Sequence, residues 1–191
     1  SVIALERASG RLAWRTAGLS EVSGFNQPLA VPRRGRTLVV AMTEQSMLGL
    51  DAADGKVLWR EPFPEKAGPC LTPVFHADVL YVPTGKGGVA EGWRLSEDGA
   101  AVRRLWTQKR MTPHHGGVVA VGGYVYGCNG HWRALCLDVR NGNVMYESTR
   151  RTDPGAVAYA EGRIYLQDVK GKLRLVLAVP AEYREIGSFA I

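Results

Sequence analysis

Three of the four histidines and two of the three cysteines of this 191-residue chain fall within residues 114–136, HHGGVVAVGGYVYGCNGHWRALC. Cys128, His131 and Cys136 follow a Cys-x2-His-x4-Cys spacing, and His114 or His115 could add a fourth ligand. Such a soft N/S set is what structural zinc takes. Two other readings stand beside it. Cys128 and Cys136 could close a cross-strand disulfide or be two small packed thiols. The histidines could instead meet a ligand or partner from loops. The elements that carry these residues decide among them.

Residues 124–128 and 134–138 both read as β-strands, joined through Asn129-Gly130-His131-Trp132. A zinc knuckle needs a compact irregular loop, whereas facing strands spread two cysteines along the ladder. Packing is therefore the expectation for Cys128 and Cys136, and also for Cys70, which begins another apolar run. The rest of the chain supports strands throughout, because it repeats. Gly10 is followed four residues later by Trp14, Gly55 by Trp59 and Gly142 by Tyr146; Gly99 reaches Trp106 after seven. The aromatic markers lie 45, 47 and 40 residues apart. A fixed period of that size marks a repeat architecture.

Each repeat holds four β-like runs: Pro28–Pro32, Thr37–Thr43, Met47–Leu50 and Val57–Arg60; then Leu71–Phe75, Val79–Pro83, Gly92–Leu95 and Val102–Trp106. Gly117–Val121, Tyr124–Cys128, Ala134–Asp138 and Val144–Glu147 follow, and finally Ala156–Tyr159, Arg163–Asp168, Leu173–Val179 and Tyr183–Ile191. Val2–Leu5 and Leu12–Arg15 form a partial unit ahead of them. Nothing sustains helical periodicity for three turns. Four-stranded repeats of this length are β-propeller blades. The expected architecture is all-β: one partial ring of antiparallel blades over 27–63, 70–108, 114–149 and 154–191, preceded by the last two strands of another blade over 1–17. The ring starts and stops mid-way, so the chain is expected to be a fragment or an arc completed by missing blades or by another chain. Gly10, Gly55, Gly99 and Gly142 turn the third strand into the fourth, where positive φ suits glycine. Trp14, Trp59, Trp106 and Tyr146 then bury their rings against a neighbouring blade.

Composition excludes several classes. Hydrophobic residues make up 46% and charged residues 22%, and no apolar run approaches a membrane span. The net charge of +6 is scattered, so no nucleic-acid partner is expected. There is no G-x-S-x-G, no P-loop and no G-x-G-x-x-G opening a helix.

The segments ALERASGRLAW, GLDAADGKVLW and CLDVRNGNVMY resemble the tryptophan-docking repeat of PQQ-binding-like (quinoprotein-type) β-propellers. That group holds alcohol dehydrogenases and non-enzymatic BamB-type assembly lipoproteins, and GRIYLQDVKGKLRLVLAVPAEYREIGSF looks like the closing half of uncharacterised exported members. The resemblance covers essentially the whole chain, and one such fold carries many functions. It implies a periplasmic or extracellular location. In the dehydrogenases of the group, pyrroloquinoline quinone lies between a tryptophan and a disulfide of adjacent cysteines, beside Ca2+ held by carboxylate and amide groups and a catalytic Asp. This chain has no Cys-Cys pair, and Trp14, Trp59 and Trp106 belong to the repeat. No cofactor, metal or catalytic residue is therefore assigned to it. The leading expectation is a non-catalytic binding or scaffold module for a protein partner or small ligand. The alternative is a segment of a PQQ- and Ca2+-dependent alcohol or sugar dehydrogenase whose catalytic residues lie outside these residues.

In a propeller, loops leading into the innermost strand share a face with loops joining the second and third strands. His114 and His115 precede an inner strand, and Asn129 and His131 lie in the second-to-third loop of the same blade. These four residues are the expected contacts at the channel mouth. Glu44, Gln45 and Lys86-Gly87-Gly88 lie on neighbouring loops, and Gly116-Gly117 permits close approach of backbone.

Overall fold

Alternating apolar positions turn this chain into a series of short antiparallel sheets. A computed structural model describes residues 1–63, 71–83, 89–113, 116–152 and 155–191, and all regular structure among them is β. The strands β1 (Ile3–Leu5) and β2 (Leu12–Arg15) form a two-stranded sheet. Blade 1 follows as β3 (Leu29–Arg33), β4 (Arg36–Met42), β5 (Ser46–Asp51) and β6 (Val57–Pro62). Blade 2 holds β7 (Val74–His76), β8 (Val79–Pro83), β9 (Ala90–Leu95) and β10 (Val102–Gln108). Blade 3 holds β11 (Val118–Val121), β12 (Tyr124–Cys128), β13 (Arg133–Asp138) and β14 (Val144–Arg151). Blade 4 holds β15 (Gly155–Ala160), β16 (Arg163–Asp168), β17 (Lys172–Leu177) and β18 (Glu185–Ala190). Every blade is a sequential antiparallel meander. The architecture is all-β, as the repeat implies.

Two strands depart from expectation for local reasons. The inner strand β7 begins at Val74, not Leu71; Pro73 carries no N–H for the ladder, and the Thr72 hydroxyl instead accepts from Gln27 N at 3.1 Å. The outer strand β14 runs on through Arg151, past Glu147, although Ser148-Thr149-Arg150-Arg151 is wholly polar. Ser148 is buried there: its Oγ accepts from Ala134 N and donates to Arg150 O at 2.7 Å.

The core lies between sheets, not within one. Val31, Leu38, Val40 and Met42 of blade 1 pack on Leu80, Val82, Trp93 and Leu95 of blade 2. Val79, Tyr81 and Ala90 of blade 2 meet Val118, Val125, Leu135 and Leu137 of blade 3. Tyr126 and Cys136 of blade 3 meet Ile164, Leu166 and Val176 of blade 4. Face-to-face burial of this kind stabilises each blade only through its neighbours.

The aromatic markers seat across these junctions. The indole N–H of Trp14 donates to Ala52 O at 2.8 Å, that of Trp59 to Gly99 O at 3.0 Å and that of Trp106 to Val139 O at 3.0 Å. The rings of Trp59 and Trp106 also cover a glycine on their own sheets. A Cβ on Gly49 would lie 2.0 Å from Trp59, and one on Gly92 2.1 Å from Trp106. Tyr146 replaces the indole in blade 3, opposite Cys136, and packs edge-on against Tyr183 of blade 4. The glycines Gly10, Gly55, Gly99 and Gly142 all have positive φ in the third-to-fourth-strand turns.

Candidate functional site

Antiparallel meanders place the β4–β5, β12–β13 and β16–β17 turns on one face of the arc, together with the segments leading into inner strands. Asn129 and His131 lie on that face, in the β12–β13 turn. Asn129 is buried at 4% exposure, and its Oδ1 accepts from His131 N at 3.0 Å and Arg133 N at 2.9 Å. The corresponding turn of blade 4 does the same: Asp168 Oδ1 accepts from Lys170 N and Lys172 N, both at 2.9 Å. In blade 1, Thr43 Oγ1 accepts from Gln45 N and Ser46 N. The Asn129 side chain therefore shapes the turn that presents His131, and its Nδ2 ties that turn to Glu147 at 3.0 Å. His131 itself is exposed.

His114 and His115 lie outside the described residues, as do Lys86-Gly87-Gly88 and Cys70. Of the neighbouring loop residues, Glu44 N donates to Val22 O and Gln45 O accepts from Phe63 N, so both backbones fasten the face of blade 1. The Gly116-Gly117 pair does permit close approach, and its visitor is the next blade. A Cβ on Gly116 would lie 1.6 Å from Gly155 O, and Val157 N donates to Gly116 O at 3.1 Å.

The residue the sequence reading passed over is Trp132. It is 38% exposed with φ +62°, and Arg151 stacks its guanidinium 5.5 Å from the ring centroid. The equivalent position in blade 4 is Gly171, at φ +78°. Both donate N–H to the carbonyl of the turn's first residue: Trp132 to Asn129 O at 2.9 Å, Gly171 to Asp168 O at 3.1 Å. An aromatic residue thus occupies a left-handed position that glycine fills without strain. Aligning NGHWR with DVKGK would have found it. A shallow cleft beside this turn is lined by Lys109, Arg110, Thr112, Asn129, His131 and Glu147. Hydrogen bonding and charge from Arg110 hold the Glu147 carboxyl below its usual range.

The cysteines pack. Cys128 faces Ala134 and Cys136 faces Tyr126 in the β12–β13 ladder, and both are free thiols. Burial pushes Cys136 up to about 12 and raises Cys128 as well, so neither is poised as a thiolate nucleophile or ligand. Among the described residues no group of three or more His, Cys, Asp or Glu side chains is placed to hold a metal. His76, the remaining histidine, accepts from Gly123 N through Nε2 at 2.8 Å and so links blade 2 to blade 3.

Glu21 and Asp168 are buried carboxylates on the same face. Glu21 is bonded by the hydroxyls of Thr43 and Ser46 and paired with Arg60. Asp168 pairs with Arg174 at 2.8 Å, and Arg174 also donates to Thr152 O. Burial alone would raise both groups; the bonds to Ser46, Thr43 and Arg60, and to Lys172, Arg174 and Lys170, outweigh it and lower them. The folded state therefore binds these protons more weakly than the unfolded chain. The stability they contribute is complete above the unfolded values near pH 4 and is lost as pH falls through the lower folded values. Thermal melts between pH 6 and pH 2.5 should fall steeply below about pH 4. In Asp168→Asn that fall should be shallower, from a lower starting point at neutral pH.

Four-stranded meanders stacked face to face with their inner strands side by side define a β-propeller, here as an arc of one partial and four complete blades among the described residues. Solved structures agree. Over 98% of its length the chain superposes on BamB from Moraxella catarrhalis, with TM-score 0.65 and 16% identity, and spans 57% of that chain. It is similar over 98% of its length to the quinohemoprotein alcohol dehydrogenase from Comamonas testosteroni, with TM-score 0.68 and 13% identity, spanning 39% of that chain. It also matches the computationally designed Ika4 protein over 89% of its own length and 99% of that chain, with TM-score 0.67 and 9% identity. No family model and no curated protein sequence matches it. The likeness is to the PQQ-like propeller fold that the repeat resembles. Among the described residues the indoles of Trp14, Trp59 and Trp106 are committed to blade junctions, and Cys128 and Cys136 are separate free thiols.

Proposed function

We propose that this chain is part of a non-catalytic, exported binding propeller, and that the face bearing the Asn129–Arg133 turn of blade 3 contacts its partner. Trp132 carries the reading. A left-handed backbone on a bulky residue costs on the order of 1–3 kcal/mol, and such strain persists where an exposed side chain has work to do. Exposed aromatics ringed by arginine are also what protein-binding surfaces favour. His131 adjoins Trp132 on the same turn, and His114 and His115 precede the inner strand of the same blade in sequence. The export assignment rests on likeness to BamB alone. No helix of the described residues is long and apolar enough to cross a membrane.

Trp132→Gly should raise stability by about 1 kcal/mol, because glycine accepts the turn's φ. The same variant should lose partner binding, as should a His114/His115/His131 triple alanine. Equal binding by wild type and Trp132→Gly would remove the assignment.

The likeness to a quinohemoprotein dehydrogenase over 98% of the chain favours a second reading. In it, these blades frame an active site whose residues lie elsewhere, and PQQ and Ca2+ would bind there. Dye-linked oxidation of alcohols or sugars by the full protein supplied with PQQ and Ca2+ would establish that reading and end the non-catalytic one.

A further inference from the structure

Charge divides the two faces of the arc. On the face opposite the β12–β13 turn, the arginines of the β3–β4 turn are neutralised one by one. Arg33 pairs with Asp78 at 2.7 Å, Arg34 with Glu97 at 3.0 Å and Arg36 with Asp51 at 3.2 Å. On the β12–β13 face, the strand ends of blades 2 to 4 carry a surplus of cations. Among the described residues, the carboxylates there are already held: Glu91 by Arg104, Glu147 by Arg110 and Arg133, and Asp168 by Arg174. Lys109, Arg150, Arg151 and Lys172 are exposed beside them, with no carboxylate partner among the described residues.

The tail of β14 keeps two of these cations in place at an electrostatic cost. Arg133 and Arg151 are direct partners across the β13–β14 ladder, and like charges so placed destabilise a sheet. The backbone is nonetheless pinned. Arg133 donates through Nη1 to Ser148 O at 2.8 Å and to Thr149 O, and the Ser148 hydroxyl donates to Arg150 O. One residue on, Thr152 N donates to Trp132 O at 2.7 Å, and Thr152 O accepts from Arg174 of blade 4 at 3.0 Å. Arg150 and Arg151 are exposed and bring no apolar surface to the core. Their strand is still held firmly, with Arg151 stacked on Trp132. An arriving anion relieves the repulsion that this arrangement stores.

The surroundings select a short acidic peptide. Neighbouring sheets stand about 10 Å apart, so the stretch from Lys109, just past β10, to Lys172, at the start of β17, covers roughly 20 Å. An extended segment of about six residues has that length. Trp132 lies between the two ends, in blade 3, and is 38% exposed. A uniform polyanion fits less well. Glu147 lines the cleft itself, and Glu44 and Glu61 lie on the blade 1 part of the same face, where a nucleic acid or an anionic bilayer would be repelled.

Resting on the binding face proposed for this turn, we infer that its occupant is an acidic segment of a partner protein. The segment is short and extended, with carboxylates toward its ends and an apolar side chain between them. The carboxylates meet the cations of blades 2 to 4, and the apolar side chain seats beside Trp132.

A fluorescein-labelled peptide, DEDLDED, tests this by anisotropy on the full protein. The expected result is saturable binding that weakens at least about tenfold in Lys109→Glu/Arg151→Glu, and about as much when the uncharged peptide NQNLNQN replaces it. Arg151→Glu alone should also weaken binding, yet melt no lower than wild type, because it sets opposite charges across the ladder at Arg133. Lost binding is thereby separated from lost fold. Equal affinity of wild type and the double variant would overturn the inference. So would tighter binding of a DNA duplex, or of phosphatidylglycerol-containing vesicles, than of the peptide. A photo-reactive residue at position 132 separates this inference from the reading beneath it. Partner adducts that survive Lys109→Glu/Arg151→Glu would overturn the acidic occupant and leave the binding face standing. The absence of any adduct without those changes would remove both.

Discussion

Trp59→Ala should lower stability by about 3–5 kcal/mol, the range for emptying a buried tryptophan site. The ring is 9% exposed and packs with Leu80, Trp93 and Leu95 across the blade 1–blade 2 junction. Its loss leaves a void over Gly49, which has no side chain to fill it, and leaves Gly99 O without its donor. Domains of this kind hold about 5–15 kcal/mol in total, so the change removes about a fifth or more. Trp59→Phe keeps most of the packing and should lose clearly less. Urea denaturation gives the magnitude, and hydrogen exchange gives the location, with protection lost first in β5, β6, β8 and β9. An alanine variant within about 1 kcal/mol of wild type would mean the indole does not hold the junction.

Gly116→Ala should be comparably severe for a different reason. The new methyl would lie 1.6 Å from Gly155 O, a backbone atom of the next blade that cannot rotate away. Gly155 is itself confined, since a Cβ on it would lie 1.6 Å from Gln167 O. Accommodating the methyl means parting β11 from β15 and breaking the Val157 N–Gly116 O bond, at about 4 kcal/mol or more. Gly130→Ala is the control, because its Cβ would meet the rotatable Thr112 hydroxyl at 3.2 Å and come no nearer than 3.7 Å to backbone. The two alanines should separate cleanly in thermal melts, with the Val157 amide exchanging fast only in Gly116→Ala.

The contrast between these glycines and the histidines shows what the sequence could reveal. A glycine four residues before an aromatic is a local pattern, and its repetition exposes both the period and the blade. Strands Leu12–Arg15, Val79–Pro83, Tyr124–Cys128 and Arg163–Asp168 keep the bounds that their apolar alternation implies. The polar tail of β14 was hidden because its burial comes from the cross-strand partner Ala134, not from its own side chains. The pairing of Glu21 with Arg60 was hidden too, since it joins a loop to a strand on another element. Asn129 looked like a contact residue by type, and only the matching bonds of Asp168 and Thr43 reveal its duty in the turn. Trp132 needed the register between blades 3 and 4 to be recognised as standing where glycine belongs.

That same residue allows the sharpest test of the account, which holds that blade 3 meets a partner through the face carrying the β12–β13 turn. A photo-reactive phenylalanine analogue is placed at position 132 and, in a second protein, at Glu161, in the β15–β16 turn on the opposite face. Both are irradiated in the native cell envelope fraction. The account predicts a discrete covalent adduct from position 132, suppressed by the His114/His115/His131 triple alanine, and none from position 161. Adducts of equal yield from both faces, or from position 161 alone, would contradict it.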